Sequence, residues 1–269
     1  APVLNSVINS GQFRLYGTVP EEDFLNLFEF EAENSAESVF EVQYTGTEGA
    51  GFGCLQCSEG NVMVGFSGVR GYNGPLYESG FGFNLPTQET FDAFESSDLR
   101  RELSILDIEA WAAETGAEFT IGNQDPETGH TGFYNKKYIP RQNDNLGDAN
   151  LTQPNNYRAI RYADVLLMAA EALNRGNIDD QLALDYVNQV RERAGLPEIN
   201  ASGSDLTDEI FRQRRLELVG EGHRFFDLVR TGRAASKIDG FTPDKNEVFP
   251  IPIEEIQFSQ GNWEQNQGY

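Results

Sequence analysis

The chain has 269 residues, with 20 Lys plus Arg against 43 Asp plus Glu and a formal net charge of −23. A field that negative repels phosphates and anionic headgroups, which excludes nucleic acid as a partner and opposes binding to a membrane surface. The 39% hydrophobic and 12% aromatic content supplies a buried core, whereas the longest apolar stretch, Val165 to Ala170, falls far short of the ~20 residues a membrane helix needs.

In chain order, Val3, Leu4, Val7 and Ile8 keep helical spacing and Gly11 offers a C-cap, so the sequence opens within a helix. Phe40, Val42 and Tyr44 alternate with Glu41 and Gln43, which predicts a half-buried strand from Glu37 to Tyr44. From Gly46 to Gly82 the composition turns to Gly, Ser, Asn and aromatics with little periodicity, the pattern of a long ordered loop. Cys54-Leu-Gln-Cys57 lacks the second Cys pair of a structural zinc site and the following helix of a redox pair, so a loop disulfide is expected. Tyr134 to Ile139 predicts a second short strand, ended by Pro140. Asn143 to Asp148 is oxygen-rich but does not match a calcium loop and reads as a solvated turn.

The second half is helical. Ile160, Ala163, Leu166 or Leu167, Ala170 and Leu173 line one helix face, and Asn174-Arg175-Gly176-Asn177 makes a turn. Ala183, Tyr186, Val187, Val190 and Ala194 line a second helix that stops at Gly195. The antiparallel pair has the size and the small crossing residues of one tetratricopeptide unit, and a lone repeat leaves a face unburied, which implies further repeats ahead of residue 1. A third helix is predicted from a Thr207 cap to about Gly220.

No catalytic constellation stands out. His130 and His223 sit in no nucleophile motif, and a Glu217/Glu221 dyad is opposed by an Arg within helical reach of each carboxylate. From Arg214 to Arg230 the charges spaced three or four apart, among Leu218, Phe225, Phe226 and Leu228, predict a partly buried structural network of Glu217, Glu221, Arg224, Asp227 and Arg230. No metal site and no cofactor site is read. Glycines at 65, 68, 71 and 74 keep company with Phe66, Tyr72, Tyr77, Phe81 and Phe83. Aromatic faces stack on the C–H faces of sugars, and Asn73 or Arg70 can bond hydroxyls at the edges. Each Phe is expected to pin the loop to the core, while Tyr72, Tyr77 and Trp111 have polar tips that tolerate exposure. The predicted ligand-binding residues are therefore Tyr72, Asn73, Tyr77 and Trp111.

Several segments, taken in order, resemble the SusD/RagB family of Bacteroidetes outer-membrane nutrient-binding lipoproteins: Ile160-Arg-Tyr-Ala-Asp-Val-Leu-Leu-Met-Ala-Ala-Glu-Ala172, Val187-Asn-Gln-Val-Arg-Glu-Arg-Ala-Gly195, Glu217 through Gly-His-Arg-Phe-Phe-Asp to Arg230, Phe249-Pro-Ile-Pro252 and Gln265-Asn-Gln-Gly-Tyr269. Ser35 to Val42 and Pro86 to Arg100 are similar to it as well. The resemblance implies a mainly α, SusD-like fold: a tetratricopeptide-type helical hairpin plus an irregular, loop-rich region with a few short strands. Residues 1–156 would be the loop-rich, ligand-facing part and residues 157–269 the helical C-terminal part of one domain lacking its N-terminal repeats. It implies a non-catalytic binding protein that captures an oligosaccharide for import through a SusC-like TonB-dependent transporter. The expected location is the surface of the outer membrane, with a lipid anchor in an N-terminal segment absent from this chain. A peptide-binding member of the family, a glycoside hydrolase fragment and a protein-binding helical adaptor are the alternatives. Glu217, Arg224, Asp227 and Arg230 match family motif positions, for which the resemblance implies a scaffold role.

Overall fold

The computed structural model describes residues 1–46, 52–54, 59–122, 130–142 and 151–269. Asn143–Asp148 and Cys57 lie outside the described residues, and Cys54 is disulfide-bonded. The elements run α1 (Pro2–Asn9), β1 (Ser38–Val42), α2 (Val62–Ser67), β2 (Val69–Arg70), β3 (Ser79–Gly80), α3 (Gln88–Asp92), α4 (Leu99–Ser104), β4 (Ile105–Asp107) and α5 (Ile108–Thr115). There follow β5 (Phe133–Asn135), β6 (Tyr157–Arg161), α6 (Tyr162–Arg175), α7 (Asp180–Arg193), α8 (Gly203–Glu217), α9 (Arg224–Arg230), α10 (Ala234–Lys237) and α11 (Ile253–Phe258). Asn61, Thr87, Asp98, Asp107 and Asp179 each accept a backbone N–H of the following turn, which starts α2, α3, α4, α5 and α7. Among the described residues no helix is long and apolar enough to cross a membrane.

The chain forms two compact units, Ala1–Gly220 and Glu221–Tyr269. In the first, α6 has 11 of its 14 residues buried, which makes it the central helix rather than a surface one. Ala163, Ala169, Ala170 and Ala183 are fully buried, and their small side chains let α7 and α8 close on it around Leu166, Val187, Val190, Leu206 and Ile210. Leu4, Val7 and Ile8 of α1 pack on the same core. β1 and β6 pair antiparallel with two register shifts, and Tyr162 N–H donates to the Glu37 carbonyl (2.8 Å), so the loop-rich residues are tied to the first turn of α6. β4 pairs antiparallel with β5, and β2 parallel with β3.

Three elements depart from the sequence expectation. The supposed long loop contains α2, whose six residues are too few to show a period and depend on the Asn61 cap. The strand expected over Tyr134–Ile139 is β5 followed by a 3-10 turn at Lys136–Tyr138, because the Asn135 side chain accepts Lys137 N–H and turns the chain. α8 begins a turn before Thr207. Asp180 Oδ2 accepts Gly203 N–H (2.7 Å) and sets the start, and Thr207 lies inside the helix with its hydroxyl on the Gly203 carbonyl.

In the second unit the amide of Gln265 meets both the N–H and the carbonyl of Ile251 (2.8 Å each), and Asn266 Nδ2 donates to the Phe249 carbonyl (2.6 Å). A side-chain amide thus replaces a strand neighbour for the Phe-Pro-Ile-Pro segment, whose prolines cannot donate.

Candidate functional site

The glycine recurrence of the loop region is a packing device. A Cβ on Gly80 would lie 2.3 Å from the Gly65 carbonyl oxygen, and one on Gly71 (φ +62°) 2.6 Å from Gly122 Cα. Backbones therefore touch where side chains are absent. Phe81 N–H donates to the Gly65 carbonyl (3.0 Å), Gly82 to Gly68 (2.8 Å) and Phe83 to Phe66 (2.8 Å), fastening the segment after β3 along α2.

That seam carries a cluster of phenyl rings at the surface. Phe81 and Phe83 flank Gly82, whose backbone is left-handed (φ +67°), and their rings stack at 6.1 Å with planes 20° apart. Phe66 packs against both, at 5.5 and 5.9 Å, and Phe52 meets Phe81 edge-on at 6.2 Å. Phe52, Phe66 and Phe83 are 62%, 39% and 51% exposed, so the cluster faces solvent. Arg70 lies beside it, its Nε donating to the Phe81 carbonyl (2.9 Å) and its guanidinium 5.8 Å from the Phe83 centroid. This is a broad apolar surface with a positioned donor at its edge.

The expected division of roles between Tyr and Phe is reversed. Tyr72 is 6% and Tyr77 2% exposed, both inside a core with Leu106, Ile108, Tyr134 and Ile139. The Tyr72 hydroxyl donates to the Pro75 carbonyl (2.7 Å), so its polar tip is satisfied without water. Tyr77 packs edge-on against Trp111 (5.2 Å) with the Arg141 guanidinium over its ring. Burial pushes the pKa of both phenols up, against the opposing charge of Arg141 at Tyr77. Trp111 is half-buried against that core. Asn73 is exposed while its backbone exchanges two hydrogen bonds with Thr120 (2.9 and 2.8 Å). An outward-facing platform of Tyr72, Tyr77 and Trp111 is therefore not what this loop presents. The missed signal was Phe81-Gly-Phe83, whose central glycine takes the left-handed turn (φ +67°) that lets the two flanking rings meet.

The charged motif also takes a different form. Glu217 is buried, and its Oε1 accepts Arg161 Nη1 (2.8 Å) and Arg193 Nη2 (2.6 Å). Glu37, equally buried, accepts the same Nη1 of Arg161 (2.7 Å) and the other arm, Nη1, of Arg193 (2.8 Å), and Lys137 Nζ donates to the Glu217 carbonyl (2.7 Å). Burial alone would raise the Glu217 pKa; Arg193, Arg161, Arg100 and Lys137 outweigh it and hold the carboxyl well below its usual range. That is the reverse of what a general acid requires. Arg214, one turn from Glu217, binds Asp164 of α6 (2.6 Å). In the second unit Glu221 is buried, Arg224 is exposed, and Asp227 pairs with a 42% exposed Arg230 (2.7 Å). A buried network is thus centred on Glu217 and joins residues distant in sequence, Arg161, Arg193 and Glu37. Among the described residues no group of three or more His, Cys, Asp or Glu is placed to hold a metal.

The sequence profile of the SusD family matches residues 112–269. The chain belongs to the SusD family. The SusD-like protein P2 of Formosa agariphila is 28% identical over 275 residues, spanning 93% of this chain and 52% of P2. A laminarin binding SusD-like protein of known structure superposes with a TM-score of 0.82 at 37% identity, over 100% of this chain and 58% of its own. Surface glycan-binding protein A from Bacteroides thetaiotaomicron, in complex with laminarihexaose, gives 0.81 at 30% identity, over 98% and 58%. The chain spans just over half the length of these relatives. The mainly helical, SusD-like fold expected from the sequence is the fold observed.

Proposed function

We propose that this SusD-family protein captures an oligosaccharide without cleaving it, using the exposed phenyl surface of Phe66, Phe81 and Phe83 with Arg70 at its edge. The exposed ring cluster carries the reading. Ring faces complement the apolar C–H faces of a neutral sugar, and the Arg70 guanidinium keeps N–H groups for hydroxyls, so a protein of net charge −23 meets no electrostatic penalty. Relatives that bind laminarin or hold laminarihexaose support a glucan as the first ligand to try. Asn73, exposed on the same loop, is the polar contact retained from the sequence. The bound glycan is passed to a SusC-like TonB-dependent transporter at the outer membrane, where the protein is held at the cell surface by a lipid anchor.

Affinity electrophoresis through laminarin and a panel of other polysaccharides tests the proposal. Retention by a glycan, weakened in Phe66→Ala and Phe83→Ala, is the expected result, and incubation should release no reducing ends. Turnover of the glycan, or retention that neither substitution changes, overturns it.

A further inference from the structure

Away from the phenyl surface, the first unit holds a cavity of about 470 Å³ between the segment after α1 and the C-terminal half of α7. Phe13, Leu15, Gly17 and Thr18 line one side and Gln189, Glu192 and Arg193 the other, with Arg14 and Tyr162 between. The volume lies within the range of small-molecule sites. Phe13 is half-buried and stacks on Tyr162 (6.5 Å, planes 24° apart), which provides an aromatic wall.

The polar groups define the ligand. Both lining arginines already carry carboxylates: Arg14 holds Glu22 (2.7 Å), and Arg193 holds Glu37 and Glu217. Glu192, exposed and without a partner among the described residues, adds a negative charge, so an anionic ligand is opposed. Gln189 Nε2 places one N–H on the Asp185 carbonyl (3.3 Å) and has a second to give. A cation would meet Glu192 but offer that donor nothing. A hydroxyl donates to the Glu192 carboxylate and accepts from the Gln189 amide, serving both with one group.

We infer that this cavity is a second ligand site, independent of the phenyl surface, for a small neutral polyhydroxylated molecule of mono- or disaccharide size. Phe13 offers a face to its C–H groups, and Glu192 and Gln189 take its hydroxyls.

The test is a titration of the chain with glucose, cellobiose and laminaribiose, followed by NMR at the Gln189 side-chain amide and by calorimetry. Saturable shifts at Gln189 are expected, with affinity lowered roughly tenfold in Glu192→Ala, which removes a charged hydrogen-bond acceptor. Phe13→Ala should weaken binding in the same direction, while Phe66→Ala and Phe83→Ala leave the Gln189 shifts unchanged. Glucuronate should bind more weakly than glucose. No shift at Gln189 with any of the three sugars, shifts undiminished in Glu192→Ala and Phe13→Ala, or glucuronate binding as tightly as glucose would overturn the assignment. Loss of binding in Phe66→Ala with Gln189 still responding bears on the phenyl surface alone.

Discussion

Replacing Glu217 with Ala should cost about 3 kcal/mol of folding stability, the lower end of the range for breaking a buried ion pair. The figure follows from what each cation keeps. Arg161 retains Glu37 (2.7 Å), Arg193 retains Glu37 (2.8 Å), and Arg100 retains Asp98 (2.7 Å). Lys137 and Arg161 also keep the residue 217 carbonyl, which the substitution leaves in place. No cation is stripped of every partner, so the loss is one uncompensated charge and a small void. Urea unfolding followed by circular dichroism measures it. A variant within about 0.5 kcal/mol of wild type, the scale of a surface substitution, would refute the buried-network reasoning. Glu217→Gln adds a check on sign. The folded carboxyl titrates below the unfolded value of about 4.3, so its contribution is complete above that pH and is lost as pH falls toward the folded pKa. The stability gap between wild type and Glu217→Gln should therefore shrink on acidification from pH 6 to pH 3; a constant or widening gap contradicts the assignment.

Phe83→Ala should weaken glycan binding by about 1 to 3 kcal/mol, by analogy with aromatic hot spots, and leave the melting temperature nearly unchanged because the ring is half exposed; affinity gels and thermal denaturation read the two effects. Tyr77→Ala should do the opposite, losing about 3 to 5 kcal/mol of stability as a buried aromatic is deleted, with affinity retained in the folded fraction. Arg224→Ala should cost under about 1 kcal/mol in denaturant unfolding, since the side chain is exposed.

The helical hairpin was legible because α6 and α7 each run 14 residues, long enough for the 3.6-residue period to repeat and for Gly176 and Gly195 to mark the ends. α2 was not, because six residues span less than two turns and its start rests on a single Asn61 side chain. The start of α8 was misplaced for a related reason: the group that fixes it, Asp180, lies 23 positions away and enters only through folding. Charge spacing pointed to a buried network but could not name the distant partners of Glu217. Helical reach counts residues one turn apart, whereas Glu217 finds Arg161 and Arg193 at separations of 56 and 24.

The site shows the same limit from the other side. Reading polarity off residue type sends tyrosine to the surface and phenylalanine to the core, a rule that holds only where the core cannot serve a hydroxyl. Here the Pro75 carbonyl serves that of Tyr72 and the Arg141 guanidinium that of Tyr77, so both tyrosines bury with a partner. Phe66, Phe81 and Phe83 lie on a seam whose backbones meet through Gly65, Gly68 and Gly80, and so close an approach leaves the rings no interior to enter. They pack on one another at the surface instead. An apolar cluster kept exposed in a chain of this acidity carries a continuing hydration cost, and that cost is relieved when the flat face of a ligand covers the rings. The same covering contributes binding free energy, so the feature that makes the loop poor as core makes it suited to capture.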